Sequence, residues 1–314
     1  MKVYYDILTL PAFNNAVITI GTFDGLHNGH RKIIELMQRE AARVNGETVI
    51  ITFDPHPRQI VGKENNPVYL INTLAEKIFL LQNSGIDHLV VIPFTEAFAN
   101  QTAETYIKDF LVNTFHPHTI IIGYDHHFGK DRSGNYQLLE AKAHQYNFVV
   151  KEIPVYMLQD ITISSTKVRQ AILQGDIETA RNFLGYDYFF TGKVVTGNQL
   201  GRTIGYATAN LQIEEDQKLI PGNGVYAVAI KINSLEKKDY YGMMNIGIRP
   251  TIEGTKRVIE VNIFDFDVDI YKSNLTITVK KYLRSEIKFN GLDALKLQLA
   301  KDKEAAVLAL TKLL

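Results

Sequence analysis

The chain has 314 residues, enough for two domains of roughly 150 residues each, and its 46% hydrophobic content suffices for ordinary globular cores. Its formal net charge is zero, with 34 basic and 34 acidic residues, so the charge does not indicate a polyanion binder and we expect no nucleic-acid partner. The absence of cysteine excludes disulfides, zinc–thiolate sites and thiol catalysis, and it fits a cytoplasmic location.

No membrane segment is evident in the sequence. No uncharged apolar run reaches the ~20 residues that a membrane helix needs. The N-terminal stretch "MKVYYDILTLPAFNN" contains Asp6 and lacks a long apolar core, unlike a signal peptide. We therefore expect no membrane partner.

Strand-like and helix-like patterns alternate in the first half of the chain. Short apolar runs predict strands over 16–20, 47–53, 87–93, 119–123 and 148–155. Helical periodicity lies between them, over 31–44, 73–83, 102–113 and 135–146. This alternation predicts an α/β domain whose parallel sheet is covered on both faces and binds ligands at the carboxyl ends of its strands.

The pattern changes near residue 187, where strands begin to follow one another without helices. They are predicted over 188–195, 224–232, 239–247, 257–266 and 275–283, with a final helix over 292–313. This order is typical of an all-β antiparallel barrel or sandwich. We therefore expect one domain over 1–186 and a second over 187–314. All histidines lie in the first half, so a general base in the second half must be another residue type.

The stretch "GTFDGLHNGH" at 21–30 follows the first of these predicted strands and opens a predicted helix. Glycines at positions 21, 25 and 29 let the backbone approach a ligand closely. His27 and His30 are three residues apart, so both can face one side of the first helical turn, where free N–H groups attract anions. The motif favours a polyphosphate site, and the alternative is a glycine turn with two surface histidines.

Three further motifs follow the ends of other predicted strands: "TFDPHP" at 52–57, "GYDHHFGKDRSG" at 123–134 and "ISSTKVR" at 163–169. In a parallel sheet these ends converge on one crevice. Taken singly, each has a plainer interpretation: a proline turn, a loop with incidental histidines, and a helix start with Ser or Thr as N-cap.

Together the four motifs resemble the adenylyltransferase module of prokaryotic bifunctional FAD synthetases (riboflavin kinase/FMN adenylyltransferase). That module is similar to the wider HxGH nucleotidyltransferase superfamily, which has a Rossmann-like domain. The resemblance implies that ATP adenylylates FMN to give FAD and pyrophosphate, with Mg²⁺ bridging the phosphates. HxGH alone is also found in class I aminoacyl-tRNA synthetases, but a tRNA-ligase-like protein would need a basic RNA-binding face, which is not evident.

The resemblance assigns roles to individual residues. His27, His30 and Arg169 would stabilise the phosphates in catalysis. Nucleotide and phosphate contacts are implied for Gly21, Phe23, Asp24, Gly25, Gly29, Ser164, Ser165 and Thr166. Flavin contacts are implied for Pro55, His56, Asp125 and Phe128. His126 stands where the family commonly has an aromatic residue.

A second candidate site begins with "GNQLGRTIGYATAN" at 197–210. Its glycines precede Thr208 and Asn210, whose oxygens can hold phosphates and Mg²⁺. The alternative is a glycine-rich hairpin of the barrel. Glu260 stands in the middle of an apolar strand pattern, where a carboxylate facing inward is costly unless it is used and one facing outward is merely solvated.

These elements resemble the flavokinase module of the same enzymes, a small antiparallel β-barrel with a C-terminal helix. The resemblance implies that riboflavin is phosphorylated by ATP, with Glu260 as the general base for its 5′-hydroxyl group. Thr208 and Asn210 would hold Mg²⁺, and Arg284 would lie near the flavin. Further nucleotide contacts are implied for Gly201, Arg202 and Gly205.

The second half departs from the family pattern at three positions. Ala207 replaces the usual Pro before the metal-binding threonine, Asn262 replaces a His, and Lys272 replaces a Gly. One alternative therefore stays open: an FMN adenylyltransferase with a degenerate, flavin-binding or structural kinase-like domain. A flavin- or nucleotide-sensing protein without turnover would be expected to lack HxGH or Glu260, and both are present. The expected partners are small-molecule substrates, namely ATP, riboflavin and FMN; an oligomer is not evident.

Overall fold

The computed structural model describes residues 1–62, 68–123, 126–153, 163–197, 201, 204–235, 238–251 and 254–311. These divide into two compact units, Met1–Ser165 and Thr166–Leu314. The division falls before the predicted boundary at residue 186, so the helical segment between the two positions belongs to the second compact unit. None of the helices among the described residues combines the length and the apolar character that a membrane span requires.

The first unit contains a six-stranded parallel sheet in the order β1-β4-β3-β2-β5-β6. The strands are β1 (Lys2–Tyr4), β2 (Val17–Ile20), β3 (Thr48–Asp54), β4 (His88–Pro93), β5 (Thr119–Gly123) and β6 (Val149–Ile153). The predicted parallel sheet is confirmed. The sequence pattern missed β1, which is only three residues long; the predicted end of the last strand, at 154–155, lies outside the described residues.

Helices cover both faces of this sheet. They are α1 (Asn28–Val44), α2 (Pro57–Val61), α3 (Leu74–Gln82), α4 (Glu96–Ala99), α5 (Ala103–Thr105, continued by a π-helix over Tyr106–Val112 and by Asn113–Phe115) and α6 (Tyr136–Tyr146). One core joins alternate sheet residues such as Ile18 to Phe110 of α5. The other joins the opposite alternation, including Val17, to Ile34 and Met37 of α1. Because both faces are buried, the central strands are mostly apolar, and the threonines within them, such as Thr19 and Thr52, are buried as well.

The strand order reverses at β2. From β2 the chain proceeds through β3 and β4 on one side of the sheet, and then through β5 and β6 on the other. Ligands of open α/β sheets bind outside the carboxyl ends of the strands at such a reversal. The segment that begins at Gly21 leaves β2 at this edge.

The second unit is built around a closed antiparallel barrel in the order β10-β11-β8-β7-β12-β9. Its strands are β7 (Phe189–Val195), β8 (Ala209–Gln212), β9 (Gly224–Ile232), β10 (Asp239–Thr251), β11 (Gly254–Ile263) and β12 (Asn274–Arg284). Helices α7 (Ser165–Gln174), α8 (Ile177–Leu184) and α9 (Leu292–Thr311) complete it. The barrel and the final helix are confirmed; residues 312–313 of the predicted helix lie outside the described part.

Residues of β11 alternate between the barrel interior and the opposite face. Ile259, Val261 and Ile263 are buried in the interior. Glu260 and Asn262 therefore point to the other side, because strand side chains alternate. Glu260 is nevertheless largely covered, with 16% of its side chain exposed.

A buried carboxylate connects α1 to the sheet. The Arg43 guanidinium donates to Glu40 through Nε (3.0 Å) and Nη2 (2.7 Å), and Lys151 Nζ of β6 lies 2.5 Å from Glu40 Oε2. Only 5% of the Glu40 side chain is exposed. The bonds from Arg43, followed by those from Lys151, lower the pKa of Glu40 from 4.5 to about 2 against the opposing effect of burial.

We predict that Glu40→Gln lowers the unfolding free energy by about 1–2 kcal/mol at pH 7, a modest loss because both cations are largely exposed and can be rehydrated. A carboxylate with a lowered folded-state pKa stabilises fully above its unfolded pKa of 4.5 and loses this contribution as the pH falls towards 2. The difference between the two proteins should therefore shrink between pH 5 and pH 3, measured by urea denaturation with circular dichroism.

The matched control is Glu35→Gln, which removes an exposed ion pair with Lys32 on the same helix. It should change the unfolding free energy by less than about 0.5 kcal/mol. A Glu40→Gln effect that is the same at pH 7 and pH 3 would contradict the assignment.

Candidate active sites

The loop after β2 is held in an uncommon backbone conformation. Phe23 and Leu26 have φ values of 48° and 35°, a region that L-residues rarely adopt. Both side chains are only 2% exposed and pack in the core beside α1, which offsets the backbone cost. Gly25, with φ of 87°, lies so close to Ile71 that a Cβ would approach its Cδ1 atom to 2.9 Å. Core packing thus fixes the path of the loop.

This path brings the two predicted histidines together at the start of α1. His27 is the N-cap residue, and its ring stacks on that of His30 with centroids 3.8 Å apart and planes inclined by 15°. The Phe23 ring also packs against His30, with the two ring centroids 4.9 Å apart. A Cβ at Gly29 would lie 3.1 Å from both Cε1 and Nδ1 of His27, a tight contact that glycine avoids.

The environment of His30 favours the neutral imidazole. Burial, His27 and Lys77, in that order of size, hold the pKa of His30 well below 6.5. Its Nδ1 atom is buried and has no hydrogen-bond partner within the described residues. At neutral pH the ring is thus an uncharged hydrogen-bond donor and acceptor beside the positive end of a helix, an arrangement suited to a phosphate group.

Sequence reasoning missed Lys77 of α3, which is 6% exposed. Its Nζ donates to Thr52 Oγ1 (3.3 Å), which in turn donates to the carbonyl oxygen of Thr22 (3.2 Å). Burial lowers the pKa of Lys77, while the charges of Asp24 and Asp54 act in the opposite direction. One sequence feature could have indicated that Lys77 is buried: Leu74 and Leu81, at the i−3 and i+4 positions, lie on the same helix face.

Asp24 joins three segments at this edge of the sheet. Its Oδ1 atom accepts hydrogen bonds from the backbone N–H groups of Ile71 (2.9 Å) and Asn72 (3.2 Å). Its carbonyl oxygen accepts one from Ser165 Oγ (2.9 Å), which brings the fourth motif to the first. Asp24 therefore supports the loop, and its contact with nucleotide stays a prediction.

The predicted flavin residues have structural contacts of their own. His56 is the N-cap of α2, and its Nδ1 atom accepts from the Arg58 N–H group (3.1 Å). It follows Pro55 at the carboxyl end of β3. Phe128 is buried and stacks on Tyr106 with centroids 4.8 Å apart. Asp125 lies outside the described residues.

The remaining residues of the fourth motif lie at the start of α7. Ser164 immediately precedes this helix and is exposed. Thr166 and Arg169 belong to the second compact unit, in which Thr166 is exposed and Arg169 is partly buried. Their roles at the phosphates stay predictions.

A cavity of about 340 Å³ brings the second set of predicted residues together. Gly201, Thr208, Glu260 and Arg284 all lie on its wall. These residues are far apart in sequence and come from the glycine-rich loop, β11 and the end of β12. Sequence reasoning missed further polar residues of the same wall: Asn245, Arg249, Glu286 and Asp302.

Glu260 lies in a row of polar residues across three strands. It is opposite Asn245 of β10 and Asn210 of β8. The Arg249 guanidinium contacts its carboxylate, with Nη2 2.5 Å from Oε2. The carboxylate is thus oriented by a cation within the cavity rather than freely solvated.

The glycine-rich loop makes close backbone contacts that require glycine. The carbonyl oxygen of Gly201 accepts from the N–H groups of Ile204 (3.2 Å) and Tyr206 (2.8 Å). A Cβ at Gly201 would fall 2.2 Å from the Tyr206 carbonyl oxygen. Gly205 has φ of 84°, a left-handed conformation that suits glycine. Arg202 lies outside the described residues.

Thr208 and Asn210 stay the predicted magnesium ligands: Thr208 lines the cavity, whereas Asn210 is not among the residues that line it. Within the described part of the chain, no group of three or more His, Asp or Glu side chains could hold a metal by itself. Mg²⁺ usually binds one or two protein oxygens together with phosphates and waters, so a hydroxyl and an amide oxygen suffice. The amide of Asn210 is closely enclosed, since a Cβ at Gly197 would lie 2.7 Å from its Oδ1 atom.

Arg284 links the barrel to its C-terminal helix. Its Nε and Nη2 atoms donate to the two carboxylate oxygens of Asp302 at 2.8 and 2.6 Å. The Asp302 side chain is 4% exposed. This bidentate pair fixes one end of the cavity, and contact of Arg284 with flavin stays a prediction.

Lys272, one of the departures from the family pattern, has φ of 66°. Glycine adopts this conformation at no steric cost, whereas a side chain makes it less favourable. The lysine therefore preserves the turn before β12 at some cost in backbone energy. It is not among the residues that line the cavity.

These two units define a two-domain nucleotide-dependent transferase, and comparisons identify its family. A sequence model of FAD synthetase matches residues 10–167, and one of riboflavin kinase matches residues 184–310. A protein of Buchnera aphidicola subsp. Schizaphis graminum is 38% identical over 97% of each chain. Proteins of Haemophilus influenzae (37%, covering 92% of each chain) and Escherichia coli K12 (35%, covering 92% of this chain and 91% of the relative) are similar.

All three relatives are named bifunctional riboflavin kinase/FMN adenylyltransferase. The chain belongs to this family. A crystal structure described as a macrolide-efflux protein from Streptococcus pneumoniae has the same overall fold, with a TM-score of 0.85, 30% identity and coverage of 97% of this chain and 98% of that one.

We predict that Lys77→Met raises the pKa of His30 and leaves it below 6.5, because the lysine charge is a smaller cause of the lowering than burial. Imidazole resonances followed by NMR against pH, and assigned with His30→Gln, measure this pKa. Lys32→Met, at an exposed position of α1, is the control and should leave it unchanged. An ordinary His30 pKa in the unmodified protein would contradict the electrostatic account.

Proposed function

We propose that this chain makes FAD from riboflavin in two ATP-dependent steps catalysed at separate sites. Residues 187–314 phosphorylate riboflavin to FMN, and residues 1–186 transfer AMP from a second ATP to FMN and release pyrophosphate. Membership of the bifunctional family supports both steps. The alternative of an adenylyltransferase with a degenerate kinase domain is not favoured, because the riboflavin kinase family model matches residues 184–310.

The observation that carries this proposal is the cavity that has both Glu260 and Thr208 on its wall. A buried carboxylate without a partner is costly, and here Arg249 contacts it while the cavity gives it access to a ligand. The same wall includes the glycine-rich loop, whose backbone can approach phosphates closely. The shared wall therefore supports the proposal of a base, a phosphate-binding loop and a substrate site in one place.

In the proposed kinase step, the 5′-hydroxyl oxygen of riboflavin attacks the γ-phosphorus of ATP, and Glu260 accepts the hydroxyl proton. The bond to the ADP oxygen breaks, so ADP leaves. Thr208 and Asn210 would hold Mg²⁺, which supplies charge neutralisation for the phosphates when bound. Such a general base contributes roughly 10²–10⁴-fold to the rate.

In the proposed adenylyl transfer, an FMN phosphate oxygen attacks the α-phosphorus of ATP, and pyrophosphate leaves with the bridging oxygen. No covalent enzyme intermediate is needed, so the protein positions two polyanions and stabilises the charge that develops. His27 and His30 would donate hydrogen bonds to the triphosphate from the N-terminal end of α1. Ser164, Ser165, Thr166 and Arg169 would contribute further phosphate contacts.

The finer features of the proposal follow from the sequence. Mg²⁺ would serve both steps, and the absence of cysteine supports a cytoplasmic location. The balanced charge supports small-molecule substrates rather than nucleic acid as partners. The flavin of the adenylyl transfer would lie near Pro55, His56, Asp125 and Phe128.

We predict that His30→Ala abolishes FAD formation from FMN and spares FMN formation from riboflavin, whereas Glu260→Gln does the reverse. Loss of one transition-state donor costs about 10²–10³ in rate, and loss of the base costs about 10²–10⁴. Two separate assays with Mg-ATP, scoring FMN from riboflavin and FAD from FMN by chromatography, measure the effects.

Each variant serves as the folding control for the other, because the unaffected activity reports an intact protein. FAD formation without any FMN formation by the unmodified chain would contradict the bifunctional proposal. A folded variant that loses both activities would contradict the assignment of two separate sites.

A further inference from the structure

The segment between the glycine-rich loop and β8 lies next to the proposed metal site. Gly201 binds the backbone of Ile204 and Tyr206, and the pairing of β8 with β11 begins at Ala209, opposite Val261. Ala207 and Thr208 lie between these two sets of bonds and outside the strand. The position of Thr208 thus depends on the contacts that fix the backbone of these two residues.

The side chain of Asn262 provides one such contact. Its Nδ2 atom donates a hydrogen bond to the carbonyl oxygen of Ala207, with a distance of 2.7 Å. Asn262 follows Glu260 by two residues on β11, so both side chains lie on the same face of the strand. Both also line the cavity, together with Thr208.

Ala207 and Asn262 therefore meet in a single hydrogen bond. A proline at position 207 would fix φ near −65° and restrict the connection through its ring. Ala207 lacks this restriction, and the amide of Asn262 instead holds its carbonyl group from the neighbouring strand. The strand that carries Glu260 thereby also holds the backbone next to Thr208.

We propose that Asn262 is a positioning residue of riboflavin phosphorylation: its side-chain amide holds the Ala207 carbonyl group and so places Thr208 relative to Glu260. This inference rests on the proposed kinase function of the second unit. In this role Asn262 acts by holding the backbone at Ala207 and does not contact the substrate. Loss of the Asn262 amide should therefore lower kcat/KM for Mg-ATP. A second restraint on the backbone of residue 207 should restore it.

The test is a double-mutant cycle with Asn262→Ala, Ala207→Pro and the double variant, assayed for FMN formation in the full chain. We expect Asn262→Ala to lower kcat/KM for Mg-ATP by about tenfold, the effect of losing one hydrogen bond, with a smaller change in KM for riboflavin. In the Ala207→Pro background the same substitution should cost less than about threefold, because the two restraints replace each other.

Asn262→Asp provides a second variant of nearly the same shape. An ionised aspartate only accepts hydrogen bonds, so it cannot donate to a carbonyl group and should be at least as impaired as Asn262→Ala. Asn274→Ala, an exposed amide on β12 of the same barrel, is the matched control and should keep full kinase activity. FAD formation from FMN by each variant reports that the rest of the chain is intact.

The outcomes separate this inference from the proposed function. Failure of the unmodified chain to form FMN would contradict the kinase function itself. An active kinase whose rate is unaffected by Asn262→Ala and Asn262→Asp would contradict the inference alone. An equal loss from Asn262→Ala with and without the proline would also contradict it, since it would indicate direct contact with the substrate.

Discussion

The close stacking of His27 on His30 is the contact on which the first site depends. Their ring centroids lie 3.8 Å apart, and a Cβ at Gly29 would approach the His27 ring to 3.1 Å, a tight contact that a shift of a few tenths of an ångström would relieve. The stack also requires the loop to turn through Phe23 in a conformation that only core packing can hold. Sheet topology, loop conformation and the helix N-terminus thus combine to place the two imidazole rings side by side, and burial holds the pKa of His30 well below 6.5.

The second site uses the alternation of a β-strand in a different way. The interior residues of β11 stabilise the barrel, and the residues between them line the cavity with polar groups. Glu260 and Asn262 are therefore placed by the same strand that forms the core. The proposed base Glu260 is more rigidly positioned on a strand than it would be on a loop. The glycine-rich loop has the backbone freedom that close approach to phosphates would need.

Much of this architecture could be predicted from the sequence, because buried parallel strands and amphipathic helices have distinct periods. Strand β5 and strand β9 have the predicted bounds. The short strand β1 could not be found, since three residues contain no period. Strand β8 was hidden within a glycine-rich motif. The residues of the motifs were predicted from the sequence. Arg249 was not, because its contact with Glu260 depends on the fold, and Lys77 had only its place on a leucine-bearing helix face as a local signal.

The proposed function requires two independent nucleotide sites on one chain, one built on the histidine pair and one on the barrel cavity. The decisive experiment is equilibrium binding of a non-hydrolysable ATP analogue with Mg²⁺, counted per chain. We expect two bound nucleotides for the unmodified chain and one when His27 and His30 are both replaced by glutamine. Two bound nucleotides in that variant, or one in the unmodified chain, would contradict it.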